Sequence, residues 1–164
     1  MIKSSTSTQS SSLPEGSERS TRLEFFQNMI GRDFAESPSP FGRWLNGSLV
    51  AAEAGSFRAR FTVRPDMVNP YGSLHGGVIS GMMDDLIGAT IHALELGANY
   101  SNLNFNVDFL SPAWVNEIVE LETRIIRAGK QIINAEAMLY SKKGILLARG
   151  STNLTRISAP LRQS

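Results

Sequence analysis

One helical segment, residues 76–96, constrains the fold of this 164-residue chain more than any other feature. Its apolar or nearly apolar positions recur at helical spacing and cover most of the helix circumference. They are Val78, Ile79, Met82, Met83, Leu86, Ile87, Thr90, Ile91 and Leu94. A helix that is apolar on most of its surface must be largely buried. We therefore expect this helix, ended by Gly97, to lie at the centre of the fold.

The segments on both sides of the helix have the patterns of β-strands. Two strands precede it from about residue 47, and the clearer one, 57–64, alternates apolar and polar residues without a break. Four strands follow it. They span 103–109, 117–127, 131–141 and 144–157. Short turns indicate antiparallel hairpins, so the four strands are expected to form a meander. A single helix cannot cover both faces of a sheet, which predicts an α+β fold with a curved antiparallel sheet wrapped around the helix.

The N-terminal part of the chain has a different composition. Residues 1–18 are rich in Ser and Thr, have almost nothing to bury, and are expected to be disordered. A short amphipathic helix at about 20–31 lies within an N-terminal helix-and-loop segment, 19–44. Residues 45–158 then form the folded domain, and 159–164 form a C-terminal tail.

Composition excludes several classes of function. Sixteen Lys and Arg against fifteen Asp and Glu leave a net charge of +1, which gives no global field to attract nucleic acid or an anionic membrane. The chain has no cysteine and two histidines, so no disulfide, thiolate nucleophile or zinc site is expected. No run reaches the ~20 apolar residues of a membrane span, and the N-terminus lacks the apolar core of a secretory signal. We expect a cytoplasmic protein that binds neither nucleic acid nor membrane.

The helix carries a stripe of small residues around a carboxylate. The stripe comprises Gly77, Gly81, Asp84 and Gly88. A glycine inside a helix costs about 1 kcal/mol relative to Ala. Gly81 and Gly88 therefore indicate that another backbone or a ligand approaches this face closely, and a subunit interface is expected here. In an alternative interpretation, Asp84 and Asp85 are only the solvated side of the helix.

The start of the helix is suited to binding an anion. Gly76 and Gly77 lie where free N–H groups and the positive end of the helix dipole meet, and neither has a side chain to block a ligand. They could equally be ordinary helix-start residues. His75 is either an active-site group or a satisfied helix-terminal residue, and Asn69 is either a site residue or a turn former.

In combination, these residues resemble the signature of hotdog-fold acyl-CoA thioesterases of the phenylacetate-pathway type, the 4-hydroxybenzoyl-CoA thioesterase-like subfamily. The resemblance rests on the run 69–77, on Asp84 nine residues after His75, and on the later segment 103–113. It covers residues 45–158 and implies the hotdog fold. It also implies hydrolysis of a small or medium acyl-CoA, including aryl acyl groups, to the free acid and coenzyme A.

The resemblance implies a role for each site residue. Asp84 corresponds to the general base on water or the nucleophile on the thioester carbonyl. The backbone N–H of Gly76 corresponds to the group that polarises the carbonyl oxygen. Asn69 and His75 correspond to residues that lie near the thioester and order that corner. In the family, the Asp and the Gly of one site come from different subunits, which implies a homodimer and, as a dimer of dimers, a homotetramer.

Gly77, Asn102 and Met83 are predicted to contact the substrate. Asn102 departs from the family, which often has Ser or Thr here to help position the attacking water. Asp85 is expected to be structural. No cofactor is expected, because coenzyme A enters as part of the substrate. Five basic residues on late strands and turns are candidates to meet its phosphates, or are plain surface charges. They are Arg127, Lys130, Lys142, Lys143 and Arg156.

Three other functions compete with this prediction. A serine hydrolase would need G-x-S-x-G in a parallel-sheet context, whereas segment 77–81 has the spacing G-x-x-S-G. A hotdog dehydratase or hydratase would need a His/Asp or His/Glu arrangement that the sequence lacks. A hotdog module that binds acyl-CoA without turnover stays open, because Asn102 departs from the family and Asp84 lies in a crowded place.

Overall fold

The computed structural model describes residues 21–158, so the tails predicted over 1–18 and 159–164 lie outside the described residues. Three helices and six strands make up the fold, with single 3-10 turns at Phe34–Glu36 and Pro65–Met67. The helices are α1 (Thr21–Asn28), α2 (Pro40–Leu45) and α3 (Gly76–His92). The strands are β1 (Ser48–Glu53), β2 (Ser56–Thr62), β3 (Asn99–Phe109), β4 (Ile118–Ala128), β5 (Ile132–Ser141) and β6 (Leu146–Ile157).

The six strands form one antiparallel sheet in the order β1-β2-β4-β5-β6-β3. The predicted α+β architecture, with one long helix packed against an antiparallel sheet, is confirmed. The predicted four-stranded meander is wrong, because only β4, β5 and β6 follow one another in space. β3 instead pairs with β6, from Asn99 opposite Ile157 to Phe109 opposite Ala148. The two strands that flank α3 in sequence therefore lie far apart in the sheet.

α3 is buried as its apolar surface predicts. Seven of its residues are buried, and Met82, Met83 and Thr90 have no exposed surface. Thr90 is the polar residue among them. Its hydroxyl donates to the Leu86 carbonyl at 2.7 Å and lies 2.7 Å from the Thr123 hydroxyl of β4. A buried polar group with partners avoids the cost of an unmade hydrogen bond.

The predicted helix boundaries need correction at both helices. α3 ends at His92 and not at residue 96, because the chain turns with tighter bonds from Leu94 to Ile91 and from Glu95 to His92 before Gly97 takes a φ of +65°. α1 ends at Asn28 and not near residue 31. Beyond α1, Ile30 leaves the helix to form a bridge with Leu49 of β1.

α2 was not predicted, and it lies where a loop was expected. Ser39 caps its first turn by accepting a bond from the Gly42 N–H at 3.0 Å, Pro40 occupies the first helical position, and Asn46 ends it in the left-handed conformation. These are ordinary helix start and stop signals. Within residues 21–158, no helix is long and apolar enough to cross a membrane.

β3 is the strand whose side chains deviate most from the predicted pattern. The alternation of apolar residues predicts one buried face, but Leu103 is 61% exposed and Phe109 is 56% exposed. A register shift between Asn102 and Asn104 interrupts the pairing with β6. β3 is also the last strand of the sheet, so its outer edge has no neighbouring strand among residues 21–158.

Candidate active site

Asp84 is held by a neighbour from the edge strand. It lies exposed on α3, and the Asn102 side-chain N–H of β3 donates a short hydrogen bond to its Oδ1. The side-chain oxygen of Asn102 lies 3.4 Å from the Thr152 hydroxyl of β6, a weaker contact than the bond of 2.6 Å that this hydroxyl donates to the Asn104 carbonyl. No residue within 21–158 bonds to the second oxygen of Asp84. The carboxylate is thus oriented through one oxygen, while the other is available to a ligand.

Asp85 has a structural contact, as expected. Its Oδ1 accepts a bond of 2.6 Å from the hydroxyl of Ser39, the residue that caps α2. Burial raises the pKa of the Asp85 carboxyl above its usual value; the Ser39 bond lowers it, and the negative charge of Asp84 raises it. The adjacent carboxylates therefore have different roles, one facing outward and one joining α3 to α2.

The start of α3 retains one free amide. The His75 side chain caps the helix, with Nδ1 accepting a bond of 2.9 Å from the Gly77 N–H. No acceptor for the Gly76 N–H lies in range among residues 21–158, which leaves it able to bond a ligand oxygen at the positive end of the helix. The Phe109 ring lies over Gly76, where an added Cβ would be 3.2 Å from the ring. The Gly77 amide already donates to His75. Its predicted contact with the substrate stays a prediction.

Asn69 forms the turn that leads to this corner. Its side-chain oxygen accepts from the N–H groups of Tyr71 and Ser73, and its side-chain nitrogen donates to the Ser73 hydroxyl at 2.9 Å. Both ends of the amide are thus used inside the loop. The structure supports the interpretation of Asn69 as a turn former, and its role at a thioester stays a prediction.

Within one chain these residues form two separate half-sites. Asp84 and Asn102 make one, and Gly76 with His75 and Asn69 makes the other. Gly76 and Asp84 are eight residues apart on α3, which corresponds to about 12 Å along the helix axis. Hydrogen-bond reach is about 3 Å, so no single ligand atom can contact both half-sites of the same chain.

A cleft opens beside Asp84 between α3, β3 and the segment before α2. Its volume is about 510 Å³. The polar side chains that line it belong to Ser37, Ser39, Asp84, Asp85, His92, Tyr100, Ser101 and Asn102. Met83, predicted to contact the substrate, lies elsewhere. It has no exposed surface, and Gly150 of β6 leaves the space for its sulfur, because an added Cβ there would be 2.9 Å from Sδ.

His92 marks the end of the cleft nearest to α1. Its Nδ1 lies 3.4 Å from Nη1 of Arg22, and Glu95 lies beside the same arginine at 3.6 Å. Burial lowers the pKa of His92, the Arg22 charge lowers it further, and the Glu95 charge raises it. Among residues 21–158, no three His, Asp or Glu side chains cluster closely enough to hold a metal ion.

Within one chain, a side chain of α2 approaches the glycine stripe. A Cβ on Gly81 would lie 2.6 Å from the Phe41 ring. The subunit interface expected at the stripe stays a prediction. Gly88 has no atom within 4 Å of an added Cβ and faces the cleft. Gly81 therefore leaves space for the Phe41 ring of α2, and Gly88 leaves space for the cleft.

The basic residues proposed for phosphate contact do not converge on the cleft at Asp84. All five are exposed. Arg156 lines a different, polar cleft with Asn99 and Gln131, where β3 begins and β6 ends. Thr152 and Phe109, which contact the two half-sites, were not predicted. Their contacts come from the pairing of β3 with β6, which no local pattern indicates.

Comparisons with known proteins find a family model and relatives to which this chain is similar. Residues 71–148 match the family model described as the Thioesterase superfamily. Human acyl-coenzyme A thioesterase 13 is 27% identical over 104 residues, which are 63% of this chain and 74% of that protein.

Two solved structures share the fold. The Escherichia coli PaaI protein, from the phenylacetic acid degradation operon, has a TM-score of 0.73 at 16% identity, over 87% of this chain and 98% of that chain. A hypothetical thioesterase of Streptococcus pneumoniae TIGR4 with coenzyme A has a TM-score of 0.64 at 15% identity, over 68% of this chain and 88% of that chain.

The antiparallel sheet and its central helix define the hotdog fold. The match to the Thioesterase superfamily, residues 71–148, spans α3 and most of this sheet. The resemblance found in the sequence is thereby confirmed for the family and the fold.

Proposed function

We propose that this protein is an acyl-CoA thioesterase, which hydrolyses an acyl-CoA to the free acid and coenzyme A. The observation that carries the proposal is the exposed Asp84 carboxylate, oriented by Asn102 and facing a cleft of about 510 Å³. Two similarities support an acyl-CoA as the ligand. Acyl-coenzyme A thioesterase 13 is named for this activity, and the Streptococcus pneumoniae structure contains coenzyme A.

Asp84 would act on the thioester in one of two ways. As a general base, it takes a proton from water while the hydroxide oxygen adds to the carbonyl carbon. The tetrahedral intermediate then expels the coenzyme A thiolate, which takes up the proton. As a nucleophile, its free oxygen adds to the carbonyl carbon and expels the thiolate, and water then hydrolyses the mixed anhydride.

The free N–H of Gly76 would stabilise the negative charge on the carbonyl oxygen. Removing one such donor typically costs about 10²- to 10³-fold in turnover. The dipole of α3 acts in the same direction at this position. His75 supports this arrangement, because its cap fixes the first turn of the helix.

We further propose that two chains form a homodimer through their β3 edges. An unpaired edge with exposed apolar side chains favours pairing with another strand. Asn102, which holds Asp84, lies near the start of β3, and Phe109, which covers Gly76, lies at its end. An antiparallel two-fold pairing would set the start of one β3 against the end of the other. Asp84 of one subunit would then face Gly76 of its partner, and the association of two dimers stays a prediction.

Thiol release from a panel of acyl-CoAs tests the activity. With acetyl-, hexanoyl-, phenylacetyl- and palmitoyl-CoA, we expect turnover of at least one substrate. Asp84→Asn keeps the shape and removes the base, and we expect it to lower kcat by about 100- to 10,000-fold. Asp33→Asn is the matched control, because an exposed N-cap residue keeps its cap as Asn.

Two results would contradict the proposal. Binding of every acyl-CoA without thiol release would identify a non-catalytic binding module. Unchanged activity of Asp84→Asn, with an unchanged melting temperature, would remove Asp84 from the mechanism.

A further inference from the structure

A second cavity, which is apolar and lies under α1, adjoins the cleft beside Asp84. The two share five lining residues, and these form the boundary between them. They are Phe26, Ser37, Pro38, Asp85 and Ala89. Beyond this boundary every lining residue is apolar. These residues are Phe25, Met29, Phe34, Leu49, Phe57 and Leu86.

The order of residues around α3 gives the relative position of the two spaces. Asp84 and Gly88 line the cleft alone, Asp85 and Ala89 line both spaces, and Leu86 lines the cavity alone. The cavity therefore lies further around α3 than the cleft, away from the Asp84 carboxylate and toward α1. The Asp85 carboxylate at the boundary has a partner, since it accepts the 2.6 Å bond from Ser39.

We propose that this cavity binds the terminal carbons of an unbranched acyl chain whose thioester lies at Asp84. The proposal rests on the proposed function, because that function identifies the ligand as an acyl thioester. Apolar lining is the property that a hydrocarbon end requires, since it has no hydrogen bonds to make. The cleft at Asp84, in contrast, has polar side chains beside its apolar ones, Ser101 and Asn102 among them.

The size of the cavity sets the length of the chain. Its volume is about 40 Å³. A water-sized group needs about 10–15 Å³ on this measure, so the cavity holds about three such groups, equivalent to three or four carbons of a chain. If about as many carbons again span the cleft from the thioester, the acyl group has about six to eight carbons. A much longer chain would have to displace α1.

One side of the cavity wall comes from a part of the chain outside the thioesterase-superfamily match. Phe25, Phe26 and Met29 belong to α1 or follow it, whereas the family model covers residues 71–148. α1 is anchored at both ends: the Thr21 hydroxyl donates to Glu95 at 3.0 Å, and the Gln27 side chain donates to the Ala52 carbonyl at 3.2 Å. The cavity therefore lies between α1 and the part of the chain that matches the family model.

A chain-length series of acyl-CoAs from acetyl to decanoyl tests the proposal. Each methylene that enters the cavity should raise kcat/KM about fourfold, and the rise should stop near octanoyl. Ala89→Leu fills the boundary, and it should lower the ratio of octanoyl to acetyl turnover by more than about tenfold. Ala54→Leu is the matched control, since Ala54 lies exposed in the turn between β1 and β2 and should keep the ratio of the natural chain.

A second variant enlarges the cavity instead of blocking it. Phe26 packs edge-to-face on Phe57 at 5.0 Å between ring centroids. Phe26→Ala removes a boundary ring and should move the optimum chain length upward, toward decanoyl. An identical chain-length profile in the natural chain, Ala89→Leu and Phe26→Ala would overturn the proposal.

Binding measurements separate this proposal from the proposed function. S-ethyl-CoA and S-hexyl-CoA are thioethers that no hydrolase cleaves, and calorimetry gives their affinities without turnover. We expect S-hexyl-CoA to bind more tightly to the natural chain, and Ala89→Leu to lose most of that gain. If no acyl-CoA is hydrolysed, the proposed function fails, yet the thioether affinities still decide about the cavity. An equal gain in affinity from S-ethyl-CoA to S-hexyl-CoA in the natural chain and in Ala89→Leu would contradict the cavity proposal, even if hydrolysis is efficient.

Discussion

Asn102 is the residue at which this chain departs from the family that it resembles. In the structure it joins three elements, because it donates to Asp84 of α3, lies on β3, and accepts from Thr152 of β6. A serine or threonine hydroxyl can donate to a carboxylate as well, but it is shorter than the Asn side chain. Asn102 thus keeps a hydrogen-bond donor at this position, but its donor lies further from the backbone than a Ser or Thr hydroxyl would.

Substitution of Asn102 separates these two properties. Asn102→Ala removes the donor, and we expect kcat to fall about 10- to 100-fold, because a hydrogen bond to a charged group contributes about 1.5–3 kcal/mol. Asn102→Ser retains a shorter donor and should recover part of the loss. Steady-state kinetics check the prediction, with KM expected to change little. Equal activity of the Ala and Ser variants would show that the donor is not needed.

The sequence identified the separate members of the site but not their contacts. Asp84, Gly76 and Asn102 could be selected by spacing and resemblance. The bond from Thr152 to Asn102 joins residues 50 positions apart and depends on the pairing of β3 with β6. Met83 was predicted to contact the substrate because an apolar helix residue can line an acyl pocket, but its side chain is buried in the core.

At the scale of elements, the two glycines inside α3 differ in what surrounds them. Gly88→Ala adds a Cβ into open space, and we expect it to stabilise the fold by about 0.5–1 kcal/mol through helix propensity. Gly81→Ala pushes the Cβ against the Phe41 ring, so the same gain should be lost or reversed. Urea unfolding of both variants provides the comparison. An equal gain at both positions would show that the contact between α2 and α3 is loose.

Asp85, which joins α3 to α2 through its bond with Ser39, should make the free energy of unfolding depend on pH. The pKa of Asp85 is raised by burial, so the native state favours its protonated form. The stability associated with that proton is fully present below the usual pKa of 3.8 and is lost as the pH rises through the raised value. Asp85→Asn does not titrate and can still accept from Ser39.

We therefore expect Asp85→Asn to be more stable than the natural chain at neutral pH, with a difference that shrinks on acidification toward pH 3.8. Urea midpoints measured across this range test the sign. A difference that grows on acidification would mean that the ionised carboxylate, bonded to Ser39, is the favoured form in the fold.

Elements with strong local signals could be predicted, and those fixed by tertiary contacts could not. α3 follows from its apolar surface alone. α2 has a serine cap and a proline at its first turn, yet it is a single short helix whose formation depends on seating Phe41 over Gly81. The N-terminal helix was predicted too long, because the pairing of Ile30 with Leu49 competes with its last turn.

At the scale of the whole molecule, the separation of the half-sites can be tested by complementation. Gly76→Pro removes the amide hydrogen, and proline suits the first position of a helix after an extended residue such as His75. The exposed Phe109 ring, which lies over Gly76, must shift slightly to make room for the proline ring. A heterodimer of Gly76→Pro with Asp84→Asn would have one intact shared site. We expect it to show about half of the natural activity, although each parent homodimer is inactive.

Co-expression with two affinity tags isolates this heterodimer. Heterodimers as inactive as their parents would indicate that each site lies within one chain. A heterodimer of Asp33→Asn with Asp84→Asn controls for the effect of tagging and mixing.

The strand order also has a consequence for how the chain reaches its native state. β4, β5 and β6 are joined by short turns and can pair soon after collapse, since their contacts are local. β2 must reach β4 across the whole of α3, and β3 must pass to the far side of β6. Closing such long loops slows folding, so the hairpins should form early and the edge strand should dock late. A newly made chain would then hold Asp84 on its helix before Asn102 arrives to orient it, and catalytic competence would be the last property that folding supplies.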